Sequence, residues 1–210
     1  MATLQFAGAA GNVTGSQYIL EIDDLRLLVD CGMHQERDFA GRNWQPFAVP
    51  PEDIDAVLLT HAHLDHSGLL PKLVRDGFRG AILATRGTID LCSFMLPDSG
   101  SIQESEVAPL NRRGRARGHS DVAPIYTQAD AIESLNAFRP VEYETWFHVM
   151  PGVRARYWNA GHLLGSASIE IEFAGEGAHG QPLRLLASGD MGRTRNCCNP
   201  IRKRRPASTT

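Results

Sequence analysis

Apolar and polar positions in the first third of the chain predict short β-strands. Residues 4–6, 17–22 and 25–29 consist mostly of aliphatic and aromatic residues, and the polar pair at 23–24 separates the last two runs as a turn. Residues 56–59 form a fully apolar run, which is typical of a buried strand. The chain therefore begins with four predicted strands.

Helical patterns follow these strands. Apolar residues recur at helical spacing within residues 67–76, which predicts an amphipathic helix. Thr85 and Thr127 are suitable N-cap residues because their hydroxyl groups can accept hydrogen bonds from the first helical turn. We predict that the helix after Thr85 runs to about Met95 and that the helix after Thr127 covers residues 128–138.

Further β-type runs separate and follow these helices. They occupy residues 81–84, 153–158, 167–173 and 183–187. The order is strands, then helix–strand units, then strands again, which predicts a layered α/β fold in which helices cover a mixed sheet.

A polar stretch at residues 98–122 lacks a continuous apolar pattern, and we predict helix fragments and loop there. It contains four arginines close together, Arg112, Arg113, Arg115 and Arg117. Planar guanidinium groups suit phosphate recognition. The alternative, which we favour, is an exposed and solvated loop.

Length and charge narrow the class of protein. With 210 residues, the chain fits one domain with a sizeable core or two small domains. Its formal net charge of -3 does not favour binding of nucleic acid by the surface as a whole. Any contact with RNA must therefore depend on local patches.

Cysteine usage and the absence of apolar segments favour a cytoplasmic protein. The four cysteines include no CxxC pair, which argues against a disulfide framework. The N-terminus lacks a basic region followed by an apolar run. No stretch approaches the roughly 18 uninterrupted apolar residues that a membrane helix needs.

The strongest chemical signal is a short run directly after the apolar residues 56–59. It reads Thr60-His61-Ala62-His63-Leu64-Asp65-His66. Extended backbone places side chains i and i+2 on the same side, so His61 and His63 can converge on one metal ion. The helix predicted from residue 67 turns the chain, which brings Asp65 and His66 toward a second ion. Imidazole nitrogen and carboxylate oxygen are ligands that zinc takes.

Two glycine-flanked loops offer further ligands. His162 follows the predicted strand 153–158 and lies between Gly161 and Gly165, and Asp190 follows the predicted strand 183–187. Glycine allows the tight backbone geometry that such loops need. The predicted set of metal ligands is His61, His63, Asp65, His66, His162 and Asp190.

This order of motifs resembles the metallo-β-lactamase superfamily: HxHxDH, then a histidine in AGHxxGSA, then an aspartate in SGD. Residues 8–16, 28–32 and 160–167 also resemble active-site segments of its β-CASP branch. That branch includes ribonuclease J and the endonuclease of the polyadenylation machinery. The resemblance spans about residues 3–193 and implies an α/β protein with the αββα layered sandwich.

The resemblance divides the chain into two parts. It implies that residues 1–192 are an incomplete metallo-β-lactamase domain, the N-terminal part of the sandwich, truncated before the β-CASP domain. Residues 193–210 have almost no apolar periodicity and include six basic residues, so we predict a disordered basic tail.

The resemblance also implies a role for each ligand. Three histidines hold the first zinc: His61, His63 and His162. Asp65 and His66 hold the second zinc, and Asp190 bridges the two ions. A hydroxide between the ions is the nucleophile that cleaves an RNA phosphodiester bond, and Asp65 steers its proton. Asp30 is a candidate for orienting a ligand histidine from outside the metal shell.

The chain departs from the family after Asp190. None of its eight histidines lies there, although the family takes one further ligand and one further catalytic histidine from that region. We therefore expect one metal to bind more tightly than the other and nuclease activity to be weak. Two alternatives stay open. One is another hydrolase with the same metal site, acting on a thioester, a lactone or a small phosphodiester; the other is a non-catalytic metal-binding fragment.

Overall fold

Two β-sheets and four α-helices make up the part of the chain that the computed structural model describes, which is residues 2–115, 120–174 and 180–192. The tail predicted at 193–210 and Arg117 lie outside the described residues. Within the described ranges, no helix is both long enough and apolar enough to cross a membrane.

The first sheet contains six strands that follow one another in sequence order. They are β1 Ala2–Phe6, β2 Tyr18–Ile22, β3 Leu25–Val29, β4 Ala56–Leu58, β5 Ala81–Thr85 and β6 Phe138–Val141. β1, β2 and β3 are antiparallel, whereas β3, β4, β5 and β6 run parallel. Parallel strands end at one edge of a sheet, so the segments after β3 and β4 begin side by side.

The second sheet contains four antiparallel strands. They are β7 Phe147–Met150, β8 Val153–Asn159, β9 Ala167–Phe173 and β10 Leu183–Ala187, in the spatial order β10-β9-β8-β7. Every second residue of β9 is buried toward the first sheet, as the two-residue period of a strand requires.

The helices lie on the other face of the first sheet. They are α1 Leu64–Ser67, α2 Leu70–Arg75, α3 Arg86–Arg115 and α4 Gln128–Ser134. α4 begins at a capping box in which the Thr127 hydroxyl accepts from Asp130 N and the Asp130 carboxylate accepts from Thr127 N. These two bonds satisfy amide groups that have no partner within the helix.

Two apolar cores result from the alternation of side chains along the first sheet. Leu28 and Val57 point toward the helices and pack in a core that includes Leu70. Leu27 and Leu58 point the opposite way and pack against the second sheet. The described residues therefore form three layers: helices, sheet and sheet. This arrangement agrees with the predicted α/β sandwich, and a second helical layer is not found among the described residues.

The outer face of the second sheet bears charged side chains. Arg154 pairs with Glu172 at 2.6 Å, and Arg156 pairs with Glu170 at 2.9 Å. The ring of Trp146 covers both guanidinium groups at 4.5–4.6 Å. This face is polar and internally paired, unlike the apolar face that meets the first sheet.

Each predicted strand lies within one or two residues of an observed strand, but β6 and β7 were not predicted and four helical predictions are wrong in extent. The helix predicted to end near Met95 continues to Arg115 as α3, so residues 98–115 are one helix that packs against α4 rather than helix fragments and loop. The segment 67–76 contains the end of α1 and then α2. The helix predicted over 128–138 ends early, because Phe138 begins β6.

Candidate metal centre

The first group of predicted ligands lies on the turn between β4 and α1. The buried strand brings the chain to the sheet edge, where His61 is fully buried and His63 precedes the first turn of α1. Ser67 Oγ donates to Ala62 O at 2.8 Å and so ties the helix back to the turn. This bond fixes the direction in which the two histidines point.

His162 lies on the loop between β8 and β9. The hydroxyl oxygen of Ser166 accepts from His162 N at 3.0 Å and from Leu163 N at 3.1 Å. Thr85 Oγ1 donates to Gly165 O at 2.6 Å. A residue at the end of the first sheet therefore holds the loop that the second sheet contributes.

Asp190 follows β10 and is the most exposed of the candidate ligands, with 47% of its side chain accessible. Ser168 Oγ donates to Ser188 O at 2.6 Å, so β9 holds the segment that leads to Asp190. A half-exposed carboxylate beside buried imidazoles leaves the site open on one side.

Three histidines and one aspartate converge on a common point. One ligand atom from each of His61, His63, His162 and Asp190 lies within 4.8 Å of all the others. His63 Nδ1 is 3.1 Å from His61 Nε2 and 3.2 Å from His162 Nε2. Three imidazole nitrogens and a carboxylate oxygen form a donor set that suits zinc and other divalent metals.

The two carboxylate oxygens of Asp190 face different histidines. Oδ2 lies 3.5 Å from His162 Nε2 and 3.8 Å from His61 Nε2, whereas Oδ1 lies 3.6 Å from His66 Nε2. Asp65 Oδ2 is 3.9 Å from the same His66 nitrogen. His66 thus lies near both Asp65 and the second oxygen of Asp190, beside the first cluster.

Asp30 connects His66 to His61 through Thr60, on the side away from the cluster of ligand atoms. Its buried carboxylate accepts from His66 Nδ1 at 2.7 Å, from Thr60 N at 2.8 Å and from Thr60 Oγ1 at 3.0 Å. Thr60 Oγ1 also lies 3.0 Å from His61 Nδ1. Because Thr60 gives its only hydroxyl hydrogen to Asp30, it accepts from His61 Nδ1. In their neutral forms, His61 and His66 therefore keep a lone pair on Nε2, where a metal would bind.

Burial and neighbouring charges set the protonation of these histidines. Burial, followed by the adjacent imidazoles, lowers the pKa of His61 to about 2. Burial and the charge of His162 also lower the pKa of His63. Burial alone would lower the pKa of His66, but its hydrogen bond to Asp30 and the nearby carboxylates raise it. His61 and His63 are thus neutral and available as ligands near neutral pH.

All six predicted ligands lie in this region, four of them in the compact cluster and Asp65 and His66 beside it. Sequence reasoning missed the residues that hold them in place: Thr60, Thr85 and Ser166. Thr60 and Ser166 lie next to the predicted ligands in the sequence, and this adjacency was the only sign that they support the site. Thr85 carried only the signal of a helix cap.

Several known proteins are similar to most of this chain. Residues 10–82 match the family model described as the metallo-beta-lactamase superfamily. Over 88% of its length, the chain is 39% identical to "Ribonuclease TTHA0252" of Thermus thermophilus, of which it covers 37%. It is 31% identical over 90% of its length to "Transcription termination factor FttA" of Methanocaldococcus jannaschii, of which it covers 27%.

More distant matches agree with these. The chain is 29% identical over 89% of its length to "Cleavage and polyadenylation specificity factor 73" of Drosophila melanogaster, of which it covers 24%. The crystal structure of MEM-A1, a subclass B3 metallo-beta-lactamase from a soil metagenome library, superposes with a TM-score of 0.50 at 16% identity. That match covers 89% of this chain and 64% of the other, and shows the fold alone. The resemblance predicted from the motifs is confirmed, and the chain spans little more than a third, or less, of these curated relatives.

Proposed function

We propose that this chain, which belongs to the metallo-β-lactamase superfamily, is a metal-dependent hydrolase that cleaves RNA phosphodiester bonds. One observation carries the proposal: the two oxygens of Asp190 face different histidines, so the site offers two adjacent metal positions. Paired positions suit phosphodiester hydrolysis because the attacking and the leaving oxygen both need stabilisation. The relatives named as a ribonuclease and a cleavage factor support RNA as the substrate class.

The residues present fit two divalent ions, and we propose zinc because imidazole predominates among the ligands. The first position takes the three clustered histidines: His61, His63 and His162. Asp65 and His66 would hold the second, and Asp190 would contribute to both. Since the first position has four protein ligands and the second has three, we expect the first metal to bind more tightly.

The side chains around this site have different proposed roles in hydrolysis. When bound, the metal ions supply Lewis acidity and lower the pKa of water. We assign to the carboxylate of Asp65 the role of accepting a proton from the attacking water. Asp30 and Thr60 keep His66 and His61 in the tautomer that leaves Nε2 free.

A metal and substrate assay tests the proposal. The purified chain, His63→Ala and the control His148→Ala are compared for bound zinc and for cleavage of single-stranded RNA. His148 is an exposed residue of β7. We expect His63→Ala to lose the tighter zinc and its RNA cleavage, and His148→Ala to retain both.

Two outcomes would contradict the proposal. Hydrolysis of a small thioester or lactone with RNA left intact would favour a different hydrolase on the same site. Zinc binding without any hydrolysis would favour a non-catalytic fragment.

We also propose a cytoplasmic location, which the two free and buried cysteines, Cys31 and Cys92, support.

A further inference from the structure

The loop at residues 8–16 borders the candidate metal centre. It joins β1 to β2, and Ala9, Val13 and Ser16 line a cleft of about 410 Å³. The same cleft is lined by Asp30, His66 and Asp190. Any molecule that enters the cleft toward the metal positions therefore meets this loop.

The end of the loop is attached directly to a proposed metal ligand. Ser16 N donates to the backbone oxygen of Asp65 at 2.9 Å, and Gly32 N donates to Ser16 O at 3.0 Å. A side chain at Gly32 would place its Cβ 1.7 Å from Asp65 O, so the three backbones approach as closely as glycine permits. A shift of residues 14–16 would therefore be transmitted to Asp65.

Glu36 holds the loop from the other side. Its Oε1 accepts from Val13 N and Thr14 N, each at 2.9 Å, and its Oε2 accepts from the Thr14 hydroxyl. Gln35 N donates to the same hydroxyl oxygen at 2.8 Å. The Glu36 carboxylate thus accepts three charge-assisted hydrogen bonds, which are stronger than hydrogen bonds between neutral groups.

The backbone between these two attachments has little freedom. Gly15 has a φ of +84°, and a Cβ there would lie 2.5 Å from the buried ring of His34. The imidazole thus packs flat against the glycine, and Thr14 cannot move without Gly15. Glu36, Thr14, Ser16 and Asp65 form one continuous path of contacts to the metal centre.

We propose that Glu36 is a positioning residue for the proposed hydrolase, which holds loop 8–16 against Asp65 and thereby sets the second metal position. The inference rests on the proposed function of the site. Glu36 lies outside every motif that identifies the metal ligands. It touches neither a ligand side chain nor the cluster of imidazoles, and it acts only through the loop.

The test compares Glu36→Ala, Glu36→Gln and the control Asp38→Asn, which removes a like charge from an exposed position of the same segment. We expect Glu36→Ala to speed hydrogen exchange at the Val13 and Thr14 amides by about tenfold or more, since charge-assisted bonds are lost. In Glu36→Ala, the weaker zinc should bind about tenfold less tightly, and the affinity for the tighter zinc should stay unchanged. Because glutamine still offers one acceptor oxygen, Glu36→Gln should fall between wild type and Glu36→Ala. Asp38→Asn should match wild type.

Kinetics of RNA cleavage complete the test. We expect kcat to fall severalfold in Glu36→Ala because Asp65 is displaced, and KM to change less than kcat, although the loop also lines the cleft. Unchanged amide exchange, or faster exchange with unchanged affinity for the weaker zinc, would overturn the role of Glu36. Absence of RNA cleavage by the wild-type chain would instead overturn the proposed function, and the exchange and zinc measurements would still decide the role of Glu36.

Discussion

A single buried carboxylate, Asp30, determines the direction of two proposed metal ligands. Its side chain is buried, so its three hydrogen bonds to Thr60 and His66 offset the cost of burial. The residue also has a φ of +58°, a conformation that favours glycine or asparagine over most other side chains.

Replacing Asp30 tests this role. Asp30→Asn keeps the size of the side chain and tolerates the backbone conformation, but one oxygen becomes an amide that competes with the donors of His66 and Thr60. We expect zinc affinity to fall by about 10- to 100-fold, as when the outer partners of metal-bound histidines are removed. Competition with a chelator measures this, and Asp55→Asn on the protein surface is the control. If Asp30→Asn bound zinc with wild-type affinity, the Asp30 carboxylate would not orient the proposed ligand histidines.

Metal-free protein should lose stability in mild acid because of His61. The pKa of His61 is about 2 in the folded chain, against an ordinary value of 6.5. Below about pH 6.5 the unfolded chain therefore binds a proton that the folded chain does not, so stability falls as pH falls. His63 acts in the same direction, whereas the raised pKa of His66 opposes it.

Urea unfolding in the presence of a chelator, at about pH 7 and about pH 5, measures this dependence. We expect the wild type to be less stable at the lower pH and His61→Gln to show a smaller difference. His148→Gln, at an exposed position, should retain the wild-type difference. Equal stability of the metal-free wild type at both pH values would contradict the burial of a neutral His61.

At the scale of elements, eight of the ten strands were predicted, whereas β6, β7 and the long helix were not. β2, β3 and β9 follow apolar runs closely because each is buried against a core, so the sequence pattern records the packing. α3 contains Pro97, Pro109 and many small polar residues, which argue against a helix of 30 residues. Its stability comes from packing on α4, a contact between segments that a local pattern does not contain.

The capping box of α4 is a local signal that the structure shows in full. Thr127→Ala removes the acceptor for Asp130 N, so we expect the free energy of unfolding to fall by about 1 kcal/mol. Gln128→Ala, at the exposed first position of the same helix, should change stability by less than about 0.5 kcal/mol. Chemical denaturation of both variants measures the difference. An equal effect of the two substitutions would mean that the cap does not contribute.

At the scale of the whole molecule, the candidate metal centre joins the two sheets. His61, His63 and His66 follow β4 in the first sheet, whereas His162 follows β8 and Asp190 follows β10 in the second. Motif order predicted which residues would meet, because their types and spacing suit a metal site. It did not predict Thr85, whose contact with Gly165 depends on how the sheets pack.

A metal bound by residues of both sheets should stabilise the entire fold. Zinc that binds only the folded state adds about 2.7 kcal/mol when its free concentration is 100 times its Kd. We therefore expect the thermal midpoint to rise on addition of zinc and to fall on chelation. His162→Ala should reduce this rise, because it removes the histidine ligand that the second sheet supplies. His148→Ala, on β7 of the same sheet, should retain it. If His162→Ala kept the full rise, His162 would not hold the metal, and Asp190 would be the one proposed ligand left on the second sheet.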